Sequence, residues 1–104
     1  NAEIDWQRSA SEVYNLVRGC NPQPGAWTTF NEEMVQIFDS ELVTGNGRIG
    51  RVCAVDKESL TINAGLGAIK VKRLRYGKGS KIKAAQFIEE QNIKIGDRFG
   101  LKSK

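Results

Sequence analysis

The sequence predicts a mainly β protein, an OB-like small β-barrel with an N-terminal helix and a short helix before the last strand. Beyond residue 25, apolar and polar residues alternate in several short runs, which is the period of strands with one buried face. Eleven glycines, most of them between those runs, indicate tight turns. Both prolines lie at 21–25, where they separate one helical pattern from the strands. Many short strands joined by glycine turns favour a small barrel over an open sheet.

The N-terminal helix is predicted to begin after Ser9. Ser9 and Glu12 have the spacing of a capping box, in which each side chain satisfies a backbone N–H of the first turn. Apolar residues then follow at i, i+3, i+4 and i+7, on one face of a helix: Ala10, Val13, Tyr14 and Val17. Gly19 is predicted to end the helix, because glycine tolerates the left-handed conformation of a C-cap.

Five or six short strands are predicted. Five segments have strand composition, at 26–30, 34–38, 48–55, 59–64 and 68–76, and 96–99 is predicted to form a turn and a last short strand. In the fifth segment Ile69 and Val71 share one face, whereas Leu74 and Tyr76 have the opposite parity. This one-residue slip predicts a β-bulge near residues 72 and 73. A glycine-containing linker at 77–80 follows, and the composition of 84–91 then favours a short helix.

The length of 104 residues predicts a single domain, 1–104, in which 1–25 forms a lead-in helix and a proline-rich loop. The longest unbroken apolar run, at 52–55, is far shorter than the roughly 20 residues of a membrane span. No basic and apolar leader opens the sequence. We therefore expect a cytoplasmic protein without a membrane partner.

The composition also argues against catalysis by this chain. Histidine, which most readily serves as a general base near neutral pH, is absent. Nucleophilic sites of the Ser-His-Asp or Cys-His type are therefore excluded. The carboxylates lie in predicted turns or on polar faces, so no catalytic residue is expected. Cys20 and Cys53 alone cannot supply the four ligands of a structural zinc site, so no metal is expected.

One basic stretch is the candidate functional site. It contains seven of the sixteen basic residues and none of the twelve acidic ones: Lys70, Lys72, Arg73, Arg75, Lys78, Lys81 and Lys83. If Ile69 and Val71 face inward, the neighbouring basic side chains of that strand project outward. Clustered Lys and Arg without acidic partners attract phosphates, and small barrels often bind nucleic acid on a strand face. The alternative is a basic strand that protects a sheet edge from aggregation, although such protection rarely needs seven charges.

Several segments resemble one family. They are 4–6 (IDW), 12–15 (EVYN) after Ala10, 17–19 (VRG), 21–27 (NPQPGAW), 84–87 (AAQF) and 96–100 (GDRFG). Together they resemble the C-terminal domain of methionyl-tRNA formyltransferases and of related folate-dependent formyltransferases. The resemblance implies an OB-like barrel that is not catalytic itself and that assists binding of the acceptor tRNA. It also places the basic stretch where the barrel of those relatives faces tRNA.

The same resemblance implies a partner that this sequence does not contain. An N-terminal catalytic domain would bind 10-formyltetrahydrofolate and perform the one-carbon transfer, so no cofactor is expected in this chain. Gln23 stands where methionyl-tRNA enzymes usually have tryptophan between the two prolines. Related domains also occur in formyltetrahydrofolate dehydrogenases and in formyltransferases of amino sugars. A structural linker barrel in an enzyme with a non-nucleic-acid acceptor is therefore the alternative function.

Overall fold

A computed structural model of the chain describes residues 2–20, 25–45 and 47–100. The proline-containing segment 21–24 and the loop residue Asn46 lie outside the described residues. The helices and strands are α1 (Ala10–Cys20), β1 (Ala26–Phe30), β2 (Glu33–Val43), β3 (Val52–Val55), β4 (Leu60–Asn63), β5 (Ala68–Tyr76), β6 (Lys81–Lys83) and α2 (Ala84–Gln91). The mainly β class and both helices are confirmed.

The capping box of α1 is confirmed, but its predicted end is wrong. The backbone N–H of Glu12 donates to Ser9 Oγ at 3.2 Å, and the N–H of Ser9 donates to the Glu12 carboxylate at 3.4 Å. The helix continues through Gly19 to Cys20. The Cys20 carbonyl accepts a hydrogen bond from Gly25 N–H at 3.0 Å, and Gly25 has a φ of +88°. Gly19 is therefore part of the helix and does not adopt the left-handed conformation of a C-cap.

The six strands form one antiparallel sheet in the order β1-β2-β5-β4-β3, and β6 pairs with β5 outside this order. Strand β5 is central: β2 covers one edge along its length, while β4 and β6 share the other edge. The sheet is not closed into the OB-like barrel that the sequence predicts, because β1 and β3 do not pair with each other. The bounds of β1, β5 and α2 agree with the prediction. Strand β2 is longer than predicted, and β3 is shorter than the predicted 48–55.

The segment 96–100 lies between the two outer strands of the open sheet. The N–H of Val52 in β3 donates to the Asp97 carbonyl at 2.8 Å, and the N–H of Gly100 donates to the Thr29 carbonyl of β1 at 2.9 Å. Among the described residues, only the isolated bridge between Arg51 and Arg98 represents the predicted last strand. That prediction is wrong as stated, since the segment is too irregular to form a ladder.

Strand β6 was not predicted, because the run KIK is too short to reveal a period of two. It directly precedes α2, so the short helix follows a strand where the sequence suggested a loop. This pairing gives Lys81 and Lys83 defined positions opposite β5.

The predicted β-bulge is confirmed. The β2–β5 register slips once on each strand, at Phe38 of β2 and at Lys72 of β5. The slip lets Ile69, Val71 and Leu74 all reach the core, with exposures of 0–1%. These core residues are therefore odd-numbered before the bulge and even-numbered after it, as the sequence pattern indicates.

Both helices contribute to a core that covers the inner face of the sheet. Three phenylalanine rings lie at its centre: Phe30, Phe87 and Phe99, with centroids 5.0 to 6.3 Å apart. The indole Nε1 of Trp6 donates to Thr28 Oγ1 at 2.9 Å, which satisfies both buried groups. Since this core occupies the inner face, the alternate side chains of β5 and β6 are left on the outer face.

Candidate nucleic-acid interface

The β5–β6 pair presents four basic side chains on the outer face of the sheet. Leu74 and Ile82 lie opposite each other and pack inward against the core. Because side chains alternate along a strand, the flanking cross-strand pairs point outward. These pairs are Arg73 with Lys83 and Arg75 with Lys81. Opposed residues have Cβ atoms only about 5 Å apart, so like charges directly opposite destabilise the pair of strands.

Three of the seven predicted site residues lie next to carboxylates. These pairs are Lys70 with Asp56 (3.9 Å), Arg73 with Asp39 (3.8 Å), and Lys72 with Glu41. The expectation that the stretch lacks acidic partners is therefore wrong for these residues, which we call the paired half. Strand β2 and the turn before β4 bring these carboxylates beside β5 from distant positions in the sequence.

The electrostatics of the paired half differ from one pair to another. The hydrogen bond and the charge of Glu41 raise the pKa of Lys72, and Lys72 in turn lowers the pKa of Glu41. The pKa of Asp56 is lowered chiefly by hydrogen bonds from Glu58 N–H and from Ser59, with only a smaller effect of Lys70. Asp56 therefore mainly holds its own turn, whereas Glu41 and Lys72 directly compensate each other's charge.

The other four residues, Arg75, Lys78, Lys81 and Lys83, form what we call the open half. None has a carboxylate oxygen within 4.0 Å among residues 2–20, 25–45 and 47–100. Arg75 Nε donates to the Gly79 carbonyl at 2.7 Å, and Lys81 Nζ lies 4.3 Å from the centroid of the Phe38 ring. Lys78 and Lys83 are exposed to solvent. The basic surface is therefore divided into a compensated part and an uncompensated part.

Phe38 is the member of this surface that sequence reasoning missed. It is 8% exposed, yet it lies outside the core cluster. The signal was present: the consecutive apolar residues Ile37 and Phe38 break the alternation of β2, as Lys72 and Arg73 break that of β5. The bulge turns Phe38 to the outer face, beneath Lys81.

No other chemistry-bearing cluster was found in the described part of the chain. It contains no group of three or more His, Cys, Asp or Glu side chains arranged to hold a metal ion. Cys20 and Cys53 are not joined by a disulfide. None of the helices there is both long and apolar enough to span a bilayer.

The described residues thus form a small open β sheet with an N-terminal helix, a short second helix and a basic outer face. A family model described as the formyl transferase C-terminal domain matches residues 1–92. The chain belongs to this family of C-terminal formyltransferase domains, as its sequence resemblance indicates.

Two relatives illustrate the relationship. The methionyl-tRNA formyltransferase of Dechloromonas aromatica (strain RCB) is 37% identical over 100 residues, covering 96% of this chain and 33% of that protein. The methionyl-tRNA formyltransferase of Halothermothrix orenii is also 37% identical, over 106 residues, covering 94% of this chain and 34% of that protein. The chain therefore spans about a third of the length of the curated relatives it matches.

Solved structures share the fold at lower identity. HypX from Aquifex aeolicus, solved in complex with tetrahydrofolic acid, superposes with a TM-score of 0.77 at 22% identity. The match covers 92% of this chain and 18% of that chain. A HypX variant with six substitutions superposes with a TM-score of 0.74 at 21% identity. The fold of the described residues thus recurs within longer proteins.

Proposed function

We propose that this chain, as a single domain spanning 1–104, is the non-catalytic C-terminal domain of a 10-formyltetrahydrofolate-dependent formyltransferase and helps to bind the tRNA acceptor. The observation that supports a binding role most directly is the open half of the basic surface. Arg75, Lys81 and Lys83 lie on one outward face, and Lys78 is exposed in the turn beside them. None of these four residues has a carboxylate oxygen within 4.0 Å in the described residues. The names of the curated relatives support tRNA as the polyanion.

The open half carries an electrostatic cost. Arg75 and Lys81 are like charges opposed across β5 and β6, which destabilises the strands, and neither has a carboxylate oxygen within 4.0 Å in the described residues to offset that repulsion. A phosphate backbone would offset it, and its condensed counterions would be released to solvent. Contacts of this kind fix the position of a nucleic acid without reading its sequence.

The proposal assigns the chemistry to another domain. The remaining two thirds of the parent protein would contain the catalytic groups and the formyltetrahydrofolate site, since this chain has no histidine. A cytoplasmic location, where tRNA is available, is part of this proposal. We expect no formyl transfer when the purified chain is incubated with 10-formyltetrahydrofolate and aminoacylated initiator tRNA. Product that increases in proportion to the chain would contradict this assignment.

A structural role is the second candidate, and the paired half favours it. Ion pairs with Asp39, Glu41 and Asp56 give three of the basic residues a partner within the domain. The chain would then be a structural linker domain of a formyltransferase, or of a formyltetrahydrofolate dehydrogenase or hydrolase, whose acceptor is not a nucleic acid.

A salt titration of tRNA binding separates the two candidates. If the open half neutralises about four phosphates, log K should fall by roughly 3 per decade of salt, at about 0.7–0.9 per phosphate. Initiator and elongator tRNAs should bind the isolated chain with similar affinity, because phosphate contacts carry no direct sequence information. Undetectable binding at low salt, measured by fluorescence anisotropy, would favour the linker function.

A further inference from the structure

We infer that Arg75 and Lys81 form the principal phosphate position of the basic surface, and that Phe38 and the Gly79 carbonyl are its positioning partners. This inference deepens the proposed function and depends on it for the nature of the ligand. It distinguishes these two cations from Lys78 and Lys83, which carry the same charge but have no comparable contact among the described residues.

The first observation is the path of the Lys81 side chain. Strand β5 lies between β6 and β2, so Lys81 and Phe38 are on strands about 9.5 Å apart, twice the usual spacing. Lys81 Nζ nevertheless lies 4.3 Å from the Phe38 ring centroid. The side chain must therefore extend across the outer face of β5. This path brings its ammonium over the strand that carries Arg75, its cross-strand partner.

The second observation is that Phe38 is fixed by its surroundings. A Cβ atom on Gly25 would come within 3.0 Å of Phe38 Cε1, so the Gly25 backbone packs against the edge of the ring. The register slip in β2 turns Phe38 away from the core and toward the basic surface. Bulges often redirect a side chain near a functional site. The ring therefore offers a rigid face to the Lys81 ammonium.

The third observation concerns Arg75. Its Nε donates to the Gly79 carbonyl at 2.7 Å, which ties the guanidinium to the turn between β5 and β6. A guanidinium has five N–H donors, so four remain available. Two of them can bind a phosphate in the bidentate geometry that arginine favours.

The common feature of both partners is that they are neutral. Ordering a long basic side chain costs rotamer entropy. An aromatic face or a carbonyl reduces that cost before binding and leaves the positive charge uncompensated. Glu41 also orders Lys72, but its carboxylate must be displaced before Lys72 can bind a phosphate. Arg75 and Lys81 are therefore ordered and still available.

The test compares single and double variants by tRNA anisotropy at fixed low salt. Because Lys81 is ordered beforehand, Lys81→Gln should weaken binding by about five- to tenfold, against about two- to threefold for Lys78→Gln, a matched control for the lost charge. Phe38→Leu should weaken binding by about two- to fivefold when Lys81 is present, and should have no further effect in the Lys81→Gln background.

Equal losses from Phe38→Leu in both backgrounds would indicate a merely structural role and would overturn the positioning of Lys81. Equal losses from Lys81→Gln and Lys78→Gln would overturn the principal phosphate position. Should Phe38→Leu fail to fold, NMR of the unmodified chain can test the contact between Lys81 and Phe38 directly. The Lys81 side-chain methylene protons should show ring-current upfield shifts that Lys78 lacks, and their absence would refute the contact.

A second experiment distinguishes failure of the proposed tRNA function from failure of this inference. If the chain binds no tRNA, tripolyphosphate can be titrated while the side-chain signals of the open half are followed by NMR. Larger shifts at Arg75 and Lys81 than at Lys78 and Lys83 would support the phosphate position even though the tRNA function had failed. Uniform shifts across all four residues would contradict the inference itself.

Discussion

The paired half and the open half of the basic surface share one segment of the sequence but differ in their surroundings. Lys72 lies at the bulge of β5, where Glu41 of β2 contacts it directly. Lys81 lies on β6, which pairs only with the far end of β5, and its contact is the ring of Phe38. The charge of a lysine is therefore compensated by a carboxylate at one end of β5 and is left uncompensated at the other.

This difference shows that the number of charges in a sequence does not determine the charge that a surface offers to a ligand. The carboxylates that form ion pairs with the stretch lie beside one end of β5, whereas Glu33 of β2 lies at the other end, beside Gly77, and forms no ion pair with the stretch. The available charge of the stretch is therefore carried mainly by the open half. Matched sets of variants can test this division.

The largest effect is expected from neutralising each half in turn. One variant replaces Lys78, Lys81 and Lys83 by Gln, and its control replaces Lys70, Lys72 and Arg73 by Gln, so both lose three charges. The open-half variant should bind tRNA at least about tenfold more weakly and lose about 2 from its salt slope, whereas the control should lose less than about 1. Salt titrations by anisotropy measure both. Equal slopes would remove the distinction between the halves.

The next effect comes from releasing a cation of the paired half. Asp39→Asn removes the carboxylate beside Arg73, which lies opposite Lys83 of the open half. We expect tRNA affinity at low salt to rise by about two- to threefold, because Arg73 then becomes available to phosphate. Glu41→Gln, which releases Lys72 instead, is the matched control and should have a smaller effect. A decrease with Asp39→Asn would mean that Arg73 has no part in binding.

Thermal stability should change in opposite directions in the two halves. Lys83→Gln relieves the repulsion from Arg73 across the strands and should raise Tm by about 1–4 °C at low salt. Lys72→Gln removes the favourable contact with Glu41 and should lower Tm slightly. Differential scanning fluorimetry at low and at high salt measures both, and both shifts should shrink as salt screens the charges. Tm shifts of the same sign for Lys83→Gln and Lys72→Gln would argue against the division into a paired half and an open half.

The smallest effect is a pH dependence confined to the paired half. Lys72 lowers the pKa of Glu41 below its ordinary value of 4.5 in the folded protein. A lowered folded-state pKa stabilises the fold above the unfolded-state value, and this contribution is lost as pH falls through the folded-state value. Urea unfolding between about pH 3 and 6 should therefore show a slightly flatter profile for Glu41→Gln than for the parent. An unchanged profile would show that the pair adds no stability.

Local interactions in the sequence determined much of this structure. Ser9 and Glu12 were sufficient to predict the start of α1, because a capping box involves residues three positions apart. The parity change between Val71 and Leu74 was sufficient to place the bulge in β5, because burial alternates along a strand. The segments shared with formyltransferase C-terminal domains were sufficient to indicate the family.

Only the tertiary structure decided which basic residues remain available. Asp39, Glu41 and Asp56 reach β5 through strand pairing and a turn, and no local pattern around residues 70–83 indicates them. Phe38 meets Lys81 across an intervening strand for the same reason. Electrostatic and cation–π contacts depend on distances of a few ångströms in space. The sequence by itself determined where the positive charges are, and the packing of distant strands decided which of them a ligand would meet.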